Sequence, residues 1–224
     1  MKEHIVKIID ADFVTHDVKR FIVEKPKNYK FIPGQAVDLF MNLEGYKDKN
    51  RPFTFTSLND DKYLEFTIKT YKERNGVTAQ MIELKKGDEF IISEPFGAIS
   101  YNGKGVFIAG GAGVTPFISI LRQLKKENKL NQNTLILSNK TEKDIILKKE
   151  FDEFSKLGLN VIYTLTREKN PKYENRRIDA NFLKDKIKDF SQYFYICGPL
   201  RFVGEIQYIL QKLGANSEKI VLES

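Results

Sequence analysis

Short apolar or alternating runs recur through the first hundred residues, at 5–9, 19–23, 36–41, 53–56, 64–70 and 89–93. Turn-forming groups separate them, as in Pro33-Gly34, Asn59-Asp60-Asp61 and Lys86-Gly87-Asp88. Alternation with period two buries one face of a strand, and several short strands at this spacing predict a barrel or sandwich. One segment departs from the pattern. Residues 77–85 carry Val77, Met81, Ile82 and Leu84 at helical spacing and predict a short helix. From Gly105 the grammar changes. Strand-like runs at 106–109, 134–138, 160–166, 193–197 and 219–222 alternate with helix-patterned segments at 116–127, 143–156, 180–189 and 200–213. Such alternation predicts a parallel sheet with helices on both faces, and sheets of this kind bind ligands at the carboxyl ends of their strands. The chain therefore reads as two domains, residues 1–100 and 104–224, hinged within 100–104.

The most informative stretch is uncharged and covers residues 105–121. An apolar run, Val106-Phe107-Ile108-Ala109, enters a glycine turn at Gly110, Gly111 and Gly113. Glycines let the backbone turn tightly and approach a bulky ligand. Thr115 then reads as an N-cap, with Pro116 at the first helical position. The N–H groups of such a helix start attract the phosphates of a dinucleotide. The stretch is shorter than the roughly 20 apolar residues of a membrane span, and glycines and Pro116 interrupt it. A glycine turn alone fits a buried strand–helix connection equally well, and this one is not the G-x-G-x-x-G of the common dinucleotide fingerprint.

With 224 residues, the chain is long enough for two small domains with real cores. Cys197 is the only cysteine, and His4 and His16 are the only histidines. No internal disulfide or cysteine-ligated cluster is possible, and no metal site is expected, so a redox centre would be a bound organic cofactor. The net charge of +7 favours anionic partners such as nucleotide phosphates or an acidic protein, and equally serves solubility. The basic residues are spread along the chain without aromatic interleaving, so nucleic acid is not expected. Residues 1–7 lack an apolar signal region. The expectation is a cytoplasmic monomer without membrane insertion.

Two further motifs carry chemistry. In Arg51-Pro52-Phe53-Thr54-Phe55-Thr56-Ser57, an arginine before a strand can grip a phosphate bidentately. Phe53 offers a stacking face, and Thr54 a hydroxyl for a ring nitrogen. Alone, the run also reads as an amphipathic strand with a surface arginine. In Tyr195-Ile196-Cys197-Gly198-Pro199, the cysteine falls at a strand end where ligands bind, or is a buried structural cysteine.

Taken in order, the Arg51–Ser57, glycine-turn and Cys197-Gly198-Pro199 elements resemble the ferredoxin–NADP reductase superfamily over essentially the whole chain. The likeness is nearest to compact bacterial flavodoxin/ferredoxin reductase-like members without fused domains. It implies a two-domain β plus α/β fold. An N-terminal antiparallel Greek-key β-barrel would hold a flavin, and a C-terminal parallel-sheet, Rossmann-like domain would receive a nicotinamide nucleotide. By this resemblance Arg51, with Pro52 beside it, binds the flavin pyrophosphate. Phe53 stands where the family has a stacking tyrosine, and Thr54 faces flavin N5. Thr67 and Ile68 join the flavin-binding set. Gly76-Val77-Thr78 resembles the helix start that holds the pyrophosphate, which favours FAD over FMN. Glu94-Pro95-Phe96-Gly97 resembles the motif that closes the flavin domain.

On the nucleotide side, Gly110, Gly111, Gly113, Thr115 and Pro116 match the pyrophosphate and nicotinamide turn. Cys197 matches the cysteine near nicotinamide C4, with Gly198 and Pro199 shaping the turn. Thr166-Arg167 resembles the pair that grips the 2′-phosphate of NADPH, which favours NADPH and leaves NADH open. Glu223 resembles a near-terminal glutamate beside the nicotinamide. The implied catalytic set is Thr54, Cys197 and Glu223. The implied reaction passes hydride from NADPH or NADH to bound FAD. Electrons then go to a separate acidic carrier, a ferredoxin or flavodoxin. A reductase of free flavin, or an FAD-holding relay subunit of a larger complex, are the alternatives.

Overall fold

The computed structural model describes residues 2–97 and 99–222. Its contacts divide the chain into two compact units, Met1–Gly97 with Thr115–Ile120, and Ala98–Val114 with Leu121–Ser224.

The first unit is built on six antiparallel strands: β1 (His4–Phe13), β2 (Val18–Glu24), β3 (Ala36–Met41), β4 (Arg51–Thr54), β5 (Tyr63–Lys69) and β6 (Glu89–Ile92). They lie in the order β4-β3-β6-β1-β2-β5. A bridge between Phe55 and Phe66 joins the two ends, so the sheet is a near-closed barrel. Alternation explains which residues face inward. Val37, Leu39 and Met41 of β3 and Leu64, Phe66 and Ile68 of β5 are all buried in one core. Phe31 stacks on Phe55 at 4.1 Å, and Phe55 meets Phe66 at 5.3 Å. The strand β1 runs past the predicted 5–9 because a bulge between Ile8 and Asp10 shifts its register and breaks the alternation.

The helix expected over residues 77–85 shrinks to one α turn, α1 (Val77–Gln80). Beyond it the bonds shorten to three-residue steps, Ile82 N to Ala79 O and Glu83 N to Gln80 O. The reason lies on β2. Lys19 Nζ donates to the carbonyls of Ile82 at 2.7 Å and Leu84 at 2.6 Å, which draws them out of a helical ladder. Lys19 is buried, and its ammonium stands 5.4 Å from the rings of both Phe13 and Phe21. Burial pushes its pKa below the usual lysine value, while Glu83, Asp12 and Asp88 pull the other way.

The second unit is a parallel sheet of β7 (Gly105–Gly110), β8 (Thr134–Asn139), β9 (Asn160–Leu165), β10 (Tyr193–Cys197) and β11 (Ile220–Leu222), ordered β11-β10-β7-β8-β9. Its helices are α2 (Thr115–Lys126), α3 (Lys148–Lys156), α4 (Ala180–Lys186) and α5 (Leu200–Lys212), the first half of α2 grouping with the barrel unit. Val106, Phe107, Ile108 and Ala109 are all buried, the signature of a strand covered on both faces. Strand order reverses between β7 and β10, which makes their carboxyl ends the switch point where such sheets bind ligands. The single helix expected over 143–156 is two pieces. A capping box between Thr141 and Asp144 closes a 3-10 turn at Glu142–Asp144, and Leu147 turns left-handed (φ 51°) before α3 starts. The entry to β7 is tied down by Tyr195, whose hydroxyl accepts from Asn102 N at 2.9 Å and donates to Gly103 O at 2.7 Å. Burial pushes that phenol up to about 12. Among the described residues, no helix is long and apolar enough to cross a membrane.

Candidate functional site

The flavin-type residues belong to the barrel unit. Arg51 opens β4 with its guanidinium exposed, Nη1 donating to the neighbouring Asn50 carbonyl at 2.7 Å. Pro52 is exposed beside it. Phe53 is half-buried and packs against the barrel core. Thr54 takes the opposite face of the strand, where it is buried and its hydroxyl lies 3.5 Å from Thr115 Oγ1. Thr67 is also buried, 3.2 Å from Thr56 Oγ1, and Thr56 donates to the buried Glu65 carboxylate at 2.7 Å. A hydroxyl carries one proton, so Thr67 must donate to Thr56 and can only accept elsewhere. The Ile68 side chain is part of the core, which leaves only its backbone to touch a ligand. Gly76 caps α1 in extended conformation, with Val77 buried and Thr78 half-buried behind it. A Cβ at Gly76 would meet nothing nearer than the Arg74 carbonyl at 4.0 Å.

Thr115 is not the N-cap expected of it. The 3-10 turn Gly111–Val114 runs straight into α2, and Val114, already in the right-handed helical region (φ −73°, ψ −18°), takes the cap position. Thr115 is the first helical residue. Its hydroxyl lies 3.5 Å from Thr54 Oγ1, and Pro116 still falls in the first turn, where a missing N–H is harmless.

The nucleotide-type residues meet at the switch point of the second unit. Gly110 ends β7, and Cys197 ends β10 in register with Ala109. An added Cβ at Gly113 would lie 2.3 Å from the Cys197 carbonyl oxygen and 2.5 Å from Gly198 N. At Gly110 it would lie 3.1 Å from the Phe202 ring and 3.2 Å from Pro199 Cδ. The glycine turn and the Cys197-Gly198-Pro199 turn are thus packed backbone against backbone. Cys197 itself is buried. Gly111 is left-handed (φ 56°), with nothing within 4 Å of where its side chain would stand.

At the end of β9, Thr166 donates from N at 2.9 Å and from Oγ1 at 3.2 Å to the Asn139 carbonyl, and Arg167 N donates to Lys140 O at 2.9 Å. Arg167 is exposed and makes no ion pair among the described residues. Glu223 lies outside the described residues.

These features fit a flavin dinucleotide and a nicotinamide nucleotide. The backbone is bare above Gly76 and Gly111, and Arg51 and Arg167 present exposed guanidiniums, a donor set whose chemistry suits phosphate groups. Sequence reading missed three polar anchors: Lys19, the Thr56–Glu65 pair, and Glu142, which accepts from Tyr173 Oη.

An antiparallel barrel followed by a doubly wound nucleotide sheet defines a two-domain flavin- and nucleotide-binding oxidoreductase. The comparisons agree. Residues 5–101 match the oxidoreductase FAD-binding domain, and residues 107–207 match the oxidoreductase NAD-binding domain. The NADH-cytochrome b5 reductase 1 of Coccidioides immitis is 31% identical over 236 residues, covering 95% of this chain and 75% of that protein. The NADH-cytochrome b5 reductase 2 of Danio rerio is 27% identical over 253 residues, covering 95% and 82%. Among solved structures, a ferredoxin NADP+ reductase from Neisseria gonorrhoeae with bound FAD and NADP superposes with a TM-score of 0.87 at 22% identity, over 100% of this chain and 98% of that one. The chain belongs to the ferredoxin–NADP reductase superfamily of FAD- and NAD(P)-binding oxidoreductases.

Proposed function

We propose that this protein oxidises NADPH or NADH and passes the electrons, through FAD, to a one-electron carrier protein. The observation that carries the reading is the seating of Gly113 against the Cys197–Gly198 backbone at the switch point, beside the open face of Gly111. FAD, when bound, supplies the exchange between two-electron and one-electron chemistry. The chain's part is to hold and align. Arg51 and the Gly76-Val77-Thr78 turn bind the pyrophosphate. The Phe53 ring supplies a flat wall, and Thr67 and the Ile68 backbone line the ring site. Thr54 and Thr115 offer paired hydroxyls to the flavin ring. Gly110, Gly111, Gly113 and Pro116 shape the coenzyme turn, which Cys197, Gly198 and Pro199 close. Glu223 is a further candidate beside the nicotinamide.

For the coenzyme, the exposed Arg167 beside the Thr166 hydroxyl supports NADPH, because a guanidinium fork suits a phosphate. The names of the relatives support NADH. We keep NADPH as the preferred coenzyme, with NADH also accepted. For the acceptor, the relatives are named for cytochrome b5, so a carrier of that type stands beside ferredoxin and flavodoxin. The net charge of +7 suits an acidic carrier. Added salt is expected to suppress carrier reduction while sparing reduction of free flavin. Equal loss of both would point to a site without a charged docking partner.

The direct test is anaerobic titration of the FAD-loaded protein with each coenzyme, followed by the loss of visible flavin absorbance. Bleaching by a stoichiometric amount of NADPH is expected. In Thr54→Ala the bleaching rate should fall about tenfold with little change in coenzyme affinity, as for a group that acts in the transition state. A protein that stays colourless with FAD supplied, or yellow with both coenzymes present, would sink the proposal.

A further inference from the structure

We propose that Tyr173 and Glu142 form a latch that positions Arg167, and that this latch sets the preference for NADPH over NADH. The inference rests on the reading of Arg167 as a coenzyme residue. The chain leaves β9 at Thr166 and Arg167 and returns at Glu174, which pairs back with the strand. Leu165 N donates to Glu174 O at 2.8 Å, and Glu174 N to Tyr163 O at 3.1 Å. Residues 166–174 are therefore a closed excursion with a pinned base.

One carboxylate holds the rest of the excursion. Tyr173 Oη donates to Glu142 Oε1 at 2.5 Å, and Asn170 Nδ2 to Glu142 Oε2 at 3.1 Å. Glu142 N in turn donates to Glu168 Oε2 at 2.8 Å. Glu142 is itself held, because it sits inside the 3-10 turn closed by Thr141 and Asp144. Arg167 thus has a fixed residue on either side, with its own N bonded to Lys140 O.

This matters for an exposed arginine. A long side chain on a loose loop loses much freedom when it grips a phosphate, and anchoring its backbone removes part of that loss beforehand. NADH has no 2′-phosphate and makes no use of the grip. Tyr173 is a positioning residue in this scheme, since it acts through Arg167.

Tyr173→Phe removes one hydroxyl and keeps the ring that lies 5.6 Å from Lys148 Nζ. Steady-state rates with both coenzymes should show the KM for NADPH raised about fivefold to tenfold, with kcat and the KM for NADH within about twofold. Glu142→Ala, which also releases Asn170, should act in the same direction, and the double variant should be no worse than Glu142→Ala alone. Glu142→Gln, which retains an oxygen for Tyr173, should recover part of the preference. Unchanged KM values, or equal rises for both coenzymes, would overturn the latch. Arg167→Ala separates the two levels. If it leaves the KM for NADPH unchanged, the coenzyme reading of Arg167 fails, and the latch fails with it.

Discussion

Gly113→Ala is expected to reduce coenzyme-driven flavin bleaching by about 100-fold or more, the scale reached when a reacting group is misplaced by an ångström. The added methyl would stand 2.3 Å from the Cys197 carbonyl oxygen and 2.4 Å from its carbon. Both obstacles are backbone at the end of a central strand, so no rotamer change relieves the overlap. Protein interiors at crystal-like density do not yield by that amount, and either the turn or the strand end must move. Overpacking of this kind also destabilises by roughly 1–3 kcal/mol. FAD binding should survive, because Arg51, Thr54 and Gly76 belong to the other unit. Gly111→Ala is the control. It shares the turn and is left-handed, but its methyl meets nothing within 4 Å. Its cost to the fold is only backbone strain of roughly 1–2 kcal/mol, and its methyl, standing on the open face of the turn, should raise the coenzyme KM without the collapse in bleaching rate expected of Gly113→Ala. A Gly113→Ala protein as fast as the parent would show that the two turns do not form one rigid seat.

Lys19→Met should lower stability by about 2–4 kcal/mol, measured by denaturant unfolding of the FAD-free protein. Methionine fills the aliphatic path of the lysine stem, so the loss reports on the ammonium. Without it the carbonyls of Ile82 and Leu84 lose a donor in a buried setting, and the segment that follows Gly76-Val77-Thr78 loses its anchor. The pH dependence has a definite sign. Burial places the folded-state pKa of Lys19 below the ordinary value of 10.5 that the unfolded chain shows. Between those two values the unfolded chain binds more protons, so stability rises with pH across that window. The gain is present above the unfolded value and lost as pH falls through the folded one. The methionine variant should lack this slope. A variant as stable as the parent would mean that solvent satisfies those carbonyls.

What the sequence made legible was local. Strands with plain alternation, such as β3 and β5, and the fully apolar β7 were readable from their side chains alone. The bulge at Ile8 hid the second half of β1, because a register shift exchanges the faces that periodicity depends on. Leu147 hid the break before α3, since no glycine or proline marks its left-handed turn. The candidate residues Arg51, Thr54, Gly113 and Cys197 could be singled out from the chain because each sits in a short contiguous motif. Lys19 could not, because its partners lie 63 and 65 positions away. The Glu142–Tyr173 pair, 31 positions apart, was hidden for the same reason. Thr115 shows a subtler limit. Its residue type suits a cap, but whether it caps depends on the dihedrals of the turn before it, and these depend on how closely that turn is packed.

The Tyr195 hydroxyl sets a practical boundary for cutting the chain. It bridges Asn102 and Gly103, while Phe107 stacks on its ring at 4.4 Å. A fragment starting at Gly105, where β7 begins, would strip both partners from a phenol in the middle of the sheet. Any expression clone of the nucleotide half should therefore start no later than Tyr101.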